Sequence, residues 1–259
     1  MNKMKTLFTL ALVCFFAVTA HAQVKKPVVK PASPIVRKTT TTKTTVKKPT
    51  TKTTPVVKKE VKLPGTRVKI TTDSGVMIIR LYDKTPLHRD NFIKLANEHF
   101  FDSLLFHRVI QDFMIQGGDP QSKYAQPGQM LGSGDVGYTI PAEFDTSFIH
   151  KRGALSAARM GDQVNPAKAS SGCQFYVVQG KKWTDADLNN MEMQQRRKYS
   201  PAQRNMYKTM GGTPFLDMGY TVFGEVEKGF EVIDKIASVP KAPGDRPLGD
   251  VRMKIEVIK

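Results

Sequence analysis

The chain has 259 residues, a formal net charge of +17 and two cysteines. Twelve Lys and Arg but a single acid lie between Val24 and Lys62, so this segment carries +11 of the charge and the rest of the chain is only mildly basic. This distribution does not indicate a nucleic-acid-binding fold, and the length is sufficient for an ordinary hydrophobic core.

Residues 1–22 are typical of a secretory signal peptide. Two lysines precede the apolar run Leu7–Val18, and an A-x-A cleavage site ends at Ala22. We expect cleavage after Ala22 and a mature protein outside the cytoplasm, either periplasmic or secreted. Cys14 raises the alternative of a lipoprotein, which the large residue before it disfavours. Cleavage leaves only Cys173, which excludes an intramolecular disulfide.

Residues 23–64 are rich in Lys, Thr and Pro and contain no aromatic residue. Such a segment cannot bury enough apolar surface to offset its ordering entropy, so we predict a disordered basic linker. Its charge could attract it weakly to anionic envelope surfaces. A solvated spacer is the simpler interpretation, because runs of charge are commonly solvated.

From about Thr66 the sequence changes to short apolar runs between turns. RVKITTDSGVMIIRLY predicts a hairpin around Asp73-Ser74-Gly75, and Thr85-Pro86 marks the start of a helix that presents Phe92 and Leu95. Many short strands and few helices favour a mainly β fold, an antiparallel sheet closed into a barrel and capped by two helices. Further strands are predicted at Leu105–Ile110, Phe113–Gln116, Gly153–Ala157, Gln174–Val178, Tyr220–Val226 and Arg252–Ile258, and a second helix at Phe230–Ala237.

Residues 183–212 interrupt this rhythm with helix-forming sequence. Caps at Thr184 and at Ser200-Pro201 and a stop at Gly211-Gly212 predict two short helices inserted between strands. Their methionines and basic residues could grip a client protein, but packing onto the barrel is the better-supported interpretation. The side chains expected to pack are Leu188, Met191, Tyr199 and Met206.

Three familiar kinds of site are poorly supported. Gly132–Gly137 fits GxGxxG, but a loop precedes it and Pro141 follows, so a dinucleotide site is rejected and no cofactor is expected. The histidines beyond the signal peptide show no HExxH pattern and no cysteine partners, so no metal is expected. Cys173 and Ser156 lie in strand-like runs without a nucleophile elbow, and core positions suit them better.

The segment FHRVIQDFMIQGGDP places a guanidinium in an apolar, strand-like stretch. Gln111-Asp112 makes a tight connection, so Arg108 and Gln116 are expected side by side on neighbouring strands. The amide would offer the guanidinium an acceptor, next to Phe113 and Met114. Such a wall suits a neutral, partly apolar ligand with an exposed carbonyl.

This segment resembles the signature of the cyclophilin-type peptidyl-prolyl isomerases. EHFFDSLLFHR, GYTIPAEF, GALSAAR, SGCQFYVV and FLDMGYTVFGEVEKGFEVIDKI resemble further segments of that family, in the family's order. The resemblance covers about Thr66 to Lys259, apart from the insert and a longer loop at 120–136. It implies a closed eight-stranded antiparallel β-barrel over residues 65–259, capped by two helices and carrying the helical insert 183–212.

The resemblance also implies roles for individual residues. Arg108 matches the catalytic arginine, and Gln116 matches the glutamine that orients it. Four positions depart from the usual residue: Arg159 replaces Asn, and Tyr176 stands where the family often has Phe. Phe215 stands where many eukaryotic members have Trp, and Tyr220 stands where they have His. The substrate-binding positions that the resemblance implies are Phe113, Met114, Ala158, Arg159, Gln174, Tyr176, Phe215, Leu216 and Tyr220.

We therefore expect a monomeric peptidyl-prolyl cis-trans isomerase that acts on proline-containing polypeptides during the folding of exported proteins. The alternative is a proline-peptide binding module or chaperone with little turnover, because the rim differs from the family at Arg159, Phe215 and Tyr220. A third hypothesis is an envelope-associated structural factor that acts through the basic linker. The intact pair of Arg108 and Gln116 favours the enzyme.

Overall fold

The computed structural model describes residues 65–258, and the predicted signal peptide and basic linker lie outside this range. Its main sheet has eight antiparallel strands in the order β10-β1-β2-β9-β6-β8-β4-β3, and β5 and β7 form a separate pair. The strands are β1 Arg67–Thr72, β2 Gly75–Leu81, β3 Arg108–Ile110, β4 Met114–Gly117, β5 Thr139–Ile140, β6 Ala154–Ala157, β7 Ser170–Ser171, β8 Phe175–Val178, β9 Val222–Lys228 and β10 Met253–Ile258.

Four α-helices accompany the strands in the described part of the chain, and none of them has the length and apolarity needed to cross a membrane. The helix predicted at Phe230–Ala237 is confirmed with the same bounds. The helices are α1 Pro86–Asn97, α2 Asp185–Gln195, α3 Pro201–Thr209 and α4 Phe230–Ala237.

The eight strands curl into a mainly β fold, as predicted. The edge strands β3 and β10 share no ladder, but the chain just before each of them is paired: Leu105 and Arg252 form an isolated bridge, and the Phe106 N–H donates to Val251 O at 2.9 Å. β3 itself begins at Arg108 rather than at the predicted Leu105. Complete closure of the barrel stays a prediction.

The core fills the inside of the curled sheet. Alternate residues of β1, Val68 and Ile70, are fully buried, as the period of two along a strand requires. Helix α1 contributes Phe92 and Leu95, which are also buried. The buried face of α4 consists of Val232, Ile233, Ile236 and Ala237.

Helix α1 begins where predicted, but Thr85 does not cap it through its side chain. The Thr85 hydroxyl donates instead to Tyr82 O at 3.4 Å. The first free backbone N–H groups of the helix, those of Leu87 and His88, donate to the two carboxylate oxygens of Glu143 at 3.0 and 2.9 Å. A distant carboxylate thus takes the position that a local cap would occupy.

The insert folds as the two predicted helices, α2 and α3. Thr184 and Ser200 each form a complete capping box. Leu188, Tyr199 and Tyr207 of the insert are buried in a small cluster with Ile149 from the body of the fold, and Met191 and Met206 pack at its edge. The insert therefore has its own small core against the sheet.

Candidate active site

The β3–β4 hairpin places Arg108 directly opposite Gln116. Arg108 Nη1 donates to Gln116 Oε1 at 3.4 Å, in the arrangement expected from strand alternation. The turn between the strands includes Asp112 in a left-handed conformation with φ of 61°, which an aspartate tolerates better than most residues. Local sequence thus determines how these two side chains meet.

Gln116 is itself held by a second glutamine. Gln116 Nε2 donates to Gln174 Oε1 at 3.1 Å, and Gln174 Nε2 donates to the carbonyl oxygens of Gly132 and Gly134 at 3.0 and 2.7 Å. Both amide orientations are thereby determined, because each side chain donates at one end and accepts at the other. The guanidinium of Arg108 is the free end of this chain of amides.

A cavity of about 750 Å³ lies in front of Arg108. Gln174 and Phe215, two of the predicted substrate-binding residues, do not line it: Gln174 lies behind Gln116, and the Phe215 ring packs against Phe113 at 5.7 Å. The predicted site residues that do line the cavity are Arg108, Phe113, Met114, Gln116, Ala158, Arg159, Tyr176, Leu216 and Tyr220.

One wall of the cavity is apolar and consists largely of buried side chains. Met114 and Tyr176 are nearly fully buried, and the Tyr220 ring meets the Tyr176 ring edge-on at 5.9 Å. Burial, reinforced by the nearby Asp217 carboxylate and by Tyr220, raises the pKa of Tyr176 well above its usual value. The hydroxyl of Tyr176 therefore stays protonated, and this wall carries no charge.

Arg159 lines the cavity, but its guanidinium is occupied within the protein. Nε donates to Gly219 O at 2.6 Å, Nη1 lies 2.6 Å from Asp162 Oδ1, and the group stacks over the Tyr220 ring at 4.4 Å. Only 5% of the side chain is exposed. Arg159 thus fixes the position of Tyr220, while its backbone lies beside Ala158.

Sequence patterns gave no signal for the loop before β10, which also borders the cavity. Asp245 Oδ2 lies 3.9 Å from Arg108 Nε, and Lys241 Nζ binds the other carboxylate oxygen at 2.8 Å. Arg246 donates to the carbonyl oxygens of Gln126 and Gln129 and so ties this loop to the long loop at 120–136. These residues are far apart in sequence, so local pattern could not connect them.

His107 also faces the cavity, with 3% of its surface exposed. Neither ring nitrogen has a hydrogen-bond partner among the described residues. Burial lowers the pKa of His107 to about 4; Asp119 opposes this shift, and Arg108 and Arg246 add to it. The imidazole is therefore neutral at pH 7.

The Gly132–Gly137 segment is a loop that leads into β5, not into a helix, so it lacks the strand–turn–helix context of a dinucleotide site. Among residues 65–258, no three His, Cys, Asp or Glu side chains gather as metal ligands would. Burial raises the pKa of the Cys173 thiol to about 11, which is the opposite of what a nucleophilic cysteine needs.

Comparison with known proteins identifies a family to which this chain is similar. Residues 67–257 match the family model described as cyclophilin type peptidyl-prolyl cis-trans isomerase/CLD. A predicted peptidyl-prolyl cis-trans isomerase of Staphylococcus aureus is 34% identical over 198 residues, which cover 76% of this chain and 93% of that protein. A predicted bifunctional phosphatase/peptidyl-prolyl cis-trans isomerase of Streptococcus pyogenes is 36% identical over 207 residues, and the chain spans only 41% of that protein.

Solved structures agree on the fold. The crystal structure of a cyclophilin type peptidyl-prolyl cis-trans isomerase of Cryptosporidium parvum superposes with a TM-score of 0.55 at 23% identity, covering 75% of this chain and 98% of that one. A second crystal structure, of the Cryptosporidium isomerase in the presence of the dipeptide Ala-Pro, gives a TM-score of 0.53 at 22% identity, covering 74% and 99% of the two chains.

Proposed function

Because the chain belongs to the cyclophilin-type peptidyl-prolyl cis-trans isomerases, we propose that it accelerates X-Pro isomerisation in polypeptides exported from the cytoplasm, with Arg108 as the residue that meets the prolyl amide. The predicted signal peptide over residues 1–22 supports the export context. The observation that carries the proposed site is the pairing of Arg108 with Gln116 at the mouth of an apolar cavity.

The chemistry to be accelerated is rotation about a conjugated bond. Amide resonance sets a barrier of about 18 to 20 kcal/mol, and an X-Pro bond isomerises in roughly 10 to 100 s. Turnover in about a millisecond requires the barrier to fall by about 5.5 to 7 kcal/mol. At 90° of twist the amide has lost its resonance, the nitrogen carries a lone pair, and the group is less dipolar than either planar form.

Arg108 supplies a directed donor for that twisted amide. A guanidinium has five N–H donors, and the contacts with Gln116 and Asp245 engage only two of its nitrogens. One charge-assisted hydrogen bond contributes about 1.5 to 3 kcal/mol, which is less than the required reduction. The apolar wall formed by Phe113, Met114 and its neighbours provides the remainder by anchoring the ring and favouring the less polar twisted state.

The substrate is a proline-containing polypeptide. The Cryptosporidium isomerase crystallised in the presence of Ala-Pro supports this class of ligand by analogy of fold. The cavity of about 750 Å³ is open enough to receive a prolyl ring together with flanking backbone.

Replacing Arg108 by alanine tests the proposed role of the guanidinium. We expect Arg108→Ala to lower the catalysed rate about 10- to 150-fold, because one charge-assisted hydrogen bond in the transition state is lost. The rate is measured as cis–trans exchange of an Ala-Pro-containing tetrapeptide by NMR, without a coupled protease. Arg108→Lys should fall between wild type and alanine, because it keeps the charge but not the planar fork.

Arg89→Ala is the matched control, since Arg89 is an arginine paired with Asp83 and Asp90 at a surface position outside the cavity. It should retain wild-type exchange. Equal rates for Arg108→Ala and wild type would reject Arg108 as the catalytic donor. The export context is tested separately by the mass of the protein recovered from producing cells: a chain that begins at Gln23 supports it, and an uncleaved chain contradicts it.

A further inference from the structure

A buried chain of hydrogen bonds connects the insert to the cavity wall. Tyr207 in α3 donates through its hydroxyl to Asp217 Oδ2 at 2.6 Å. The other carboxylate oxygen, Oδ1, accepts from His150 N and His150 Nδ1, each at 2.8 Å. His150 Nε2 in turn lies 3.0 Å from the Tyr176 hydroxyl. All four residues are buried.

The carboxylate determines the direction of this chain. A carboxylate can only accept hydrogen bonds, so His150 donates to Asp217 Oδ1 through its backbone N–H and through its Nδ1–H. The other ring nitrogen, Nε2, lies 3.0 Å from the Tyr176 hydroxyl. The chain thereby restrains the orientation of the Tyr176 ring.

The insert also provides the charge that balances Asp217. Arg197, in the loop between α2 and α3, has Nη1 3.4 Å from Asp217 Oδ2, and its side chain is 12% exposed. A carboxylate with no exposure is strongly unfavourable without such partners. Both groups that contact Oδ2, Tyr207 and Arg197, therefore belong to the insert.

Asp217 is adjacent in the chain to another part of the wall. Leu216 precedes it at the end of the 3-10 turn Pro214–Leu216, and the Asp217 N–H donates to Pro214 O at 3.1 Å. Leu216 and Tyr176 both line the cavity. One carboxylate thus holds two wall residues, one through the backbone and one through His150.

We propose that the insert braces the proline pocket through Asp217, and that His150, Asp217 and Tyr207 are positioning residues for Tyr176 and Leu216. This inference rests on the proposed function, because it takes the cavity to be the proline pocket. It gives the insert a role in substrate binding without direct contact with the substrate.

The proposal is tested by removing hydroxyl groups at the two ends of the chain. Tyr207→Phe and Tyr176→Phe each delete one oxygen and keep the ring. We expect each to weaken binding of an Ala-Pro-containing tetrapeptide about 5- to 10-fold, measured as Kd by NMR titration. Tyr207 does not line the cavity, so Tyr207→Phe should change catalysed exchange at saturation less than about 2-fold. The double variant should bind no more than about 2-fold more weakly than the weaker single variant, because both substitutions break the same chain.

Tyr138→Phe is the matched control. The Tyr138 hydroxyl donates to Asn91 Oδ1 at 2.7 Å, and Tyr138 does not line the cavity, so the Kd of this variant should equal that of wild type. A merely structural role for Tyr207 would lower the melting temperature and leave Kd of the folded protein unchanged. That result, or a fully multiplicative loss in the double variant, overturns the proposal. If Tyr207→Phe does not fold, Arg197→Lys tests the same brace from the insert side, and an unchanged Kd again overturns it.

The two proposals fail in different ways. Loss of the catalytic assignment would appear as unchanged exchange in Arg108→Ala, whereas loss of the brace would appear as unchanged Kd in Tyr207→Phe. Because Kd is an equilibrium quantity, it does not depend on the rate of exchange, and the brace is tested whatever that rate is.

Discussion

His107 is next to the proposed catalytic arginine, yet neither of its ring nitrogens has a hydrogen-bond partner among the described residues. A buried, unpaired imidazole is tolerated only in its neutral form, which is why burial lowers its pKa to about 4. The two nearby arginines, Arg108 and Arg246, act in the same direction. The positive charge of Arg108 thus disfavours protonation of its neighbour His107.

The lowered pKa of His107 predicts an acid sensitivity. The unfolded chain protonates His107 near the ordinary pKa of about 6.5, while the folded protein resists protonation until about pH 4, so stability falls as the pH drops between these values. When the pH is lowered from 7 to 4.5, the free energy of unfolding of wild type should fall by about 2.5 kcal/mol more than that of His107→Gln. Urea unfolding at the two pH values measures the difference.

The exposed His99 provides the comparison, since its side chain is 70% exposed. Its backbone is left-handed, with φ of 56°, so asparagine is the suitable replacement. His99→Asn should lose as much stability as wild type over the same pH interval. A His107→Gln variant with the wild-type pH dependence would show that His107 is not the group responsible.

At the scale of elements, the loop before β6 is attached to helix α1 by one side chain. Glu143 accepts from two backbone N–H groups of the helix and lies 2.7 Å from His88 Nδ1. The helix N-terminus carries partial positive charge, which stabilises a carboxylate there. The two remote parts of the chain are thereby held together.

Removing this carboxylate should destabilise the fold. We expect Glu143→Ala to lower the free energy of unfolding by about 2 to 3 kcal/mol, because two helix N–H groups and Nδ1 of the buried His88 lose their partner. Glu98→Ala, at the C-terminal end of the same helix, removes an equal charge where a negative charge is unfavourable, and should cost much less. Similar losses for the two variants in urea unfolding would contradict the capping role.

The elements that local pattern predicts are those whose contacts are local. Alternation and a tight turn are sufficient to predict that Arg108 faces Gln116, and capping residues are sufficient to predict α2 and α3. The cap of α1 could not be predicted, because Glu143 lies 55 residues from His88. The same holds for Gln174 and its acceptor Gly132, which are 42 residues apart.

In the cavity wall, too, some residues could be predicted from the sequence and others could not. Its lining residues are identified through the family resemblance, but the groups that hold them are not: His150 and Asp217 are 67 residues apart and belong to no recognisable motif. A buried polar residue in a single sequence carries no indication of its partner. The supporting contacts therefore became apparent only once the sheet and the insert were assembled.

At the scale of the whole molecule, the insert can be accommodated because its two ends meet. Lys181 and Gly212 form a bridge, with the Gly212 N–H donating to Lys181 O at 3.0 Å. Gly180 approaches so closely that an added Cβ would lie 2.4 Å from Gly212 Cα. The chain leaves and re-enters the sheet at one point, so the insert adds a surface without displacing a strand.

The uneven charge of the chain leads to the last prediction. Between Val24 and Lys62 there are twelve basic residues and one acid, and attraction of such a segment to an anionic surface decays within about 30 Å at 0.01 M salt but 3 Å at 1 M. We expect the chain from Gln23 to Lys259 to bind vesicles containing anionic lipid at 0.01 M salt and to be released at 1 M, measured by co-sedimentation.

The control is the same chain with the twelve basic residues replaced by Gln, which keeps the length of the linker and should stay unbound. Its peptide isomerisation should be unchanged, because the cavity is built from residues 65–258. Equal binding by both chains would place the attraction on the folded part instead, and persistence of binding at 1 M salt would show that it is not electrostatic.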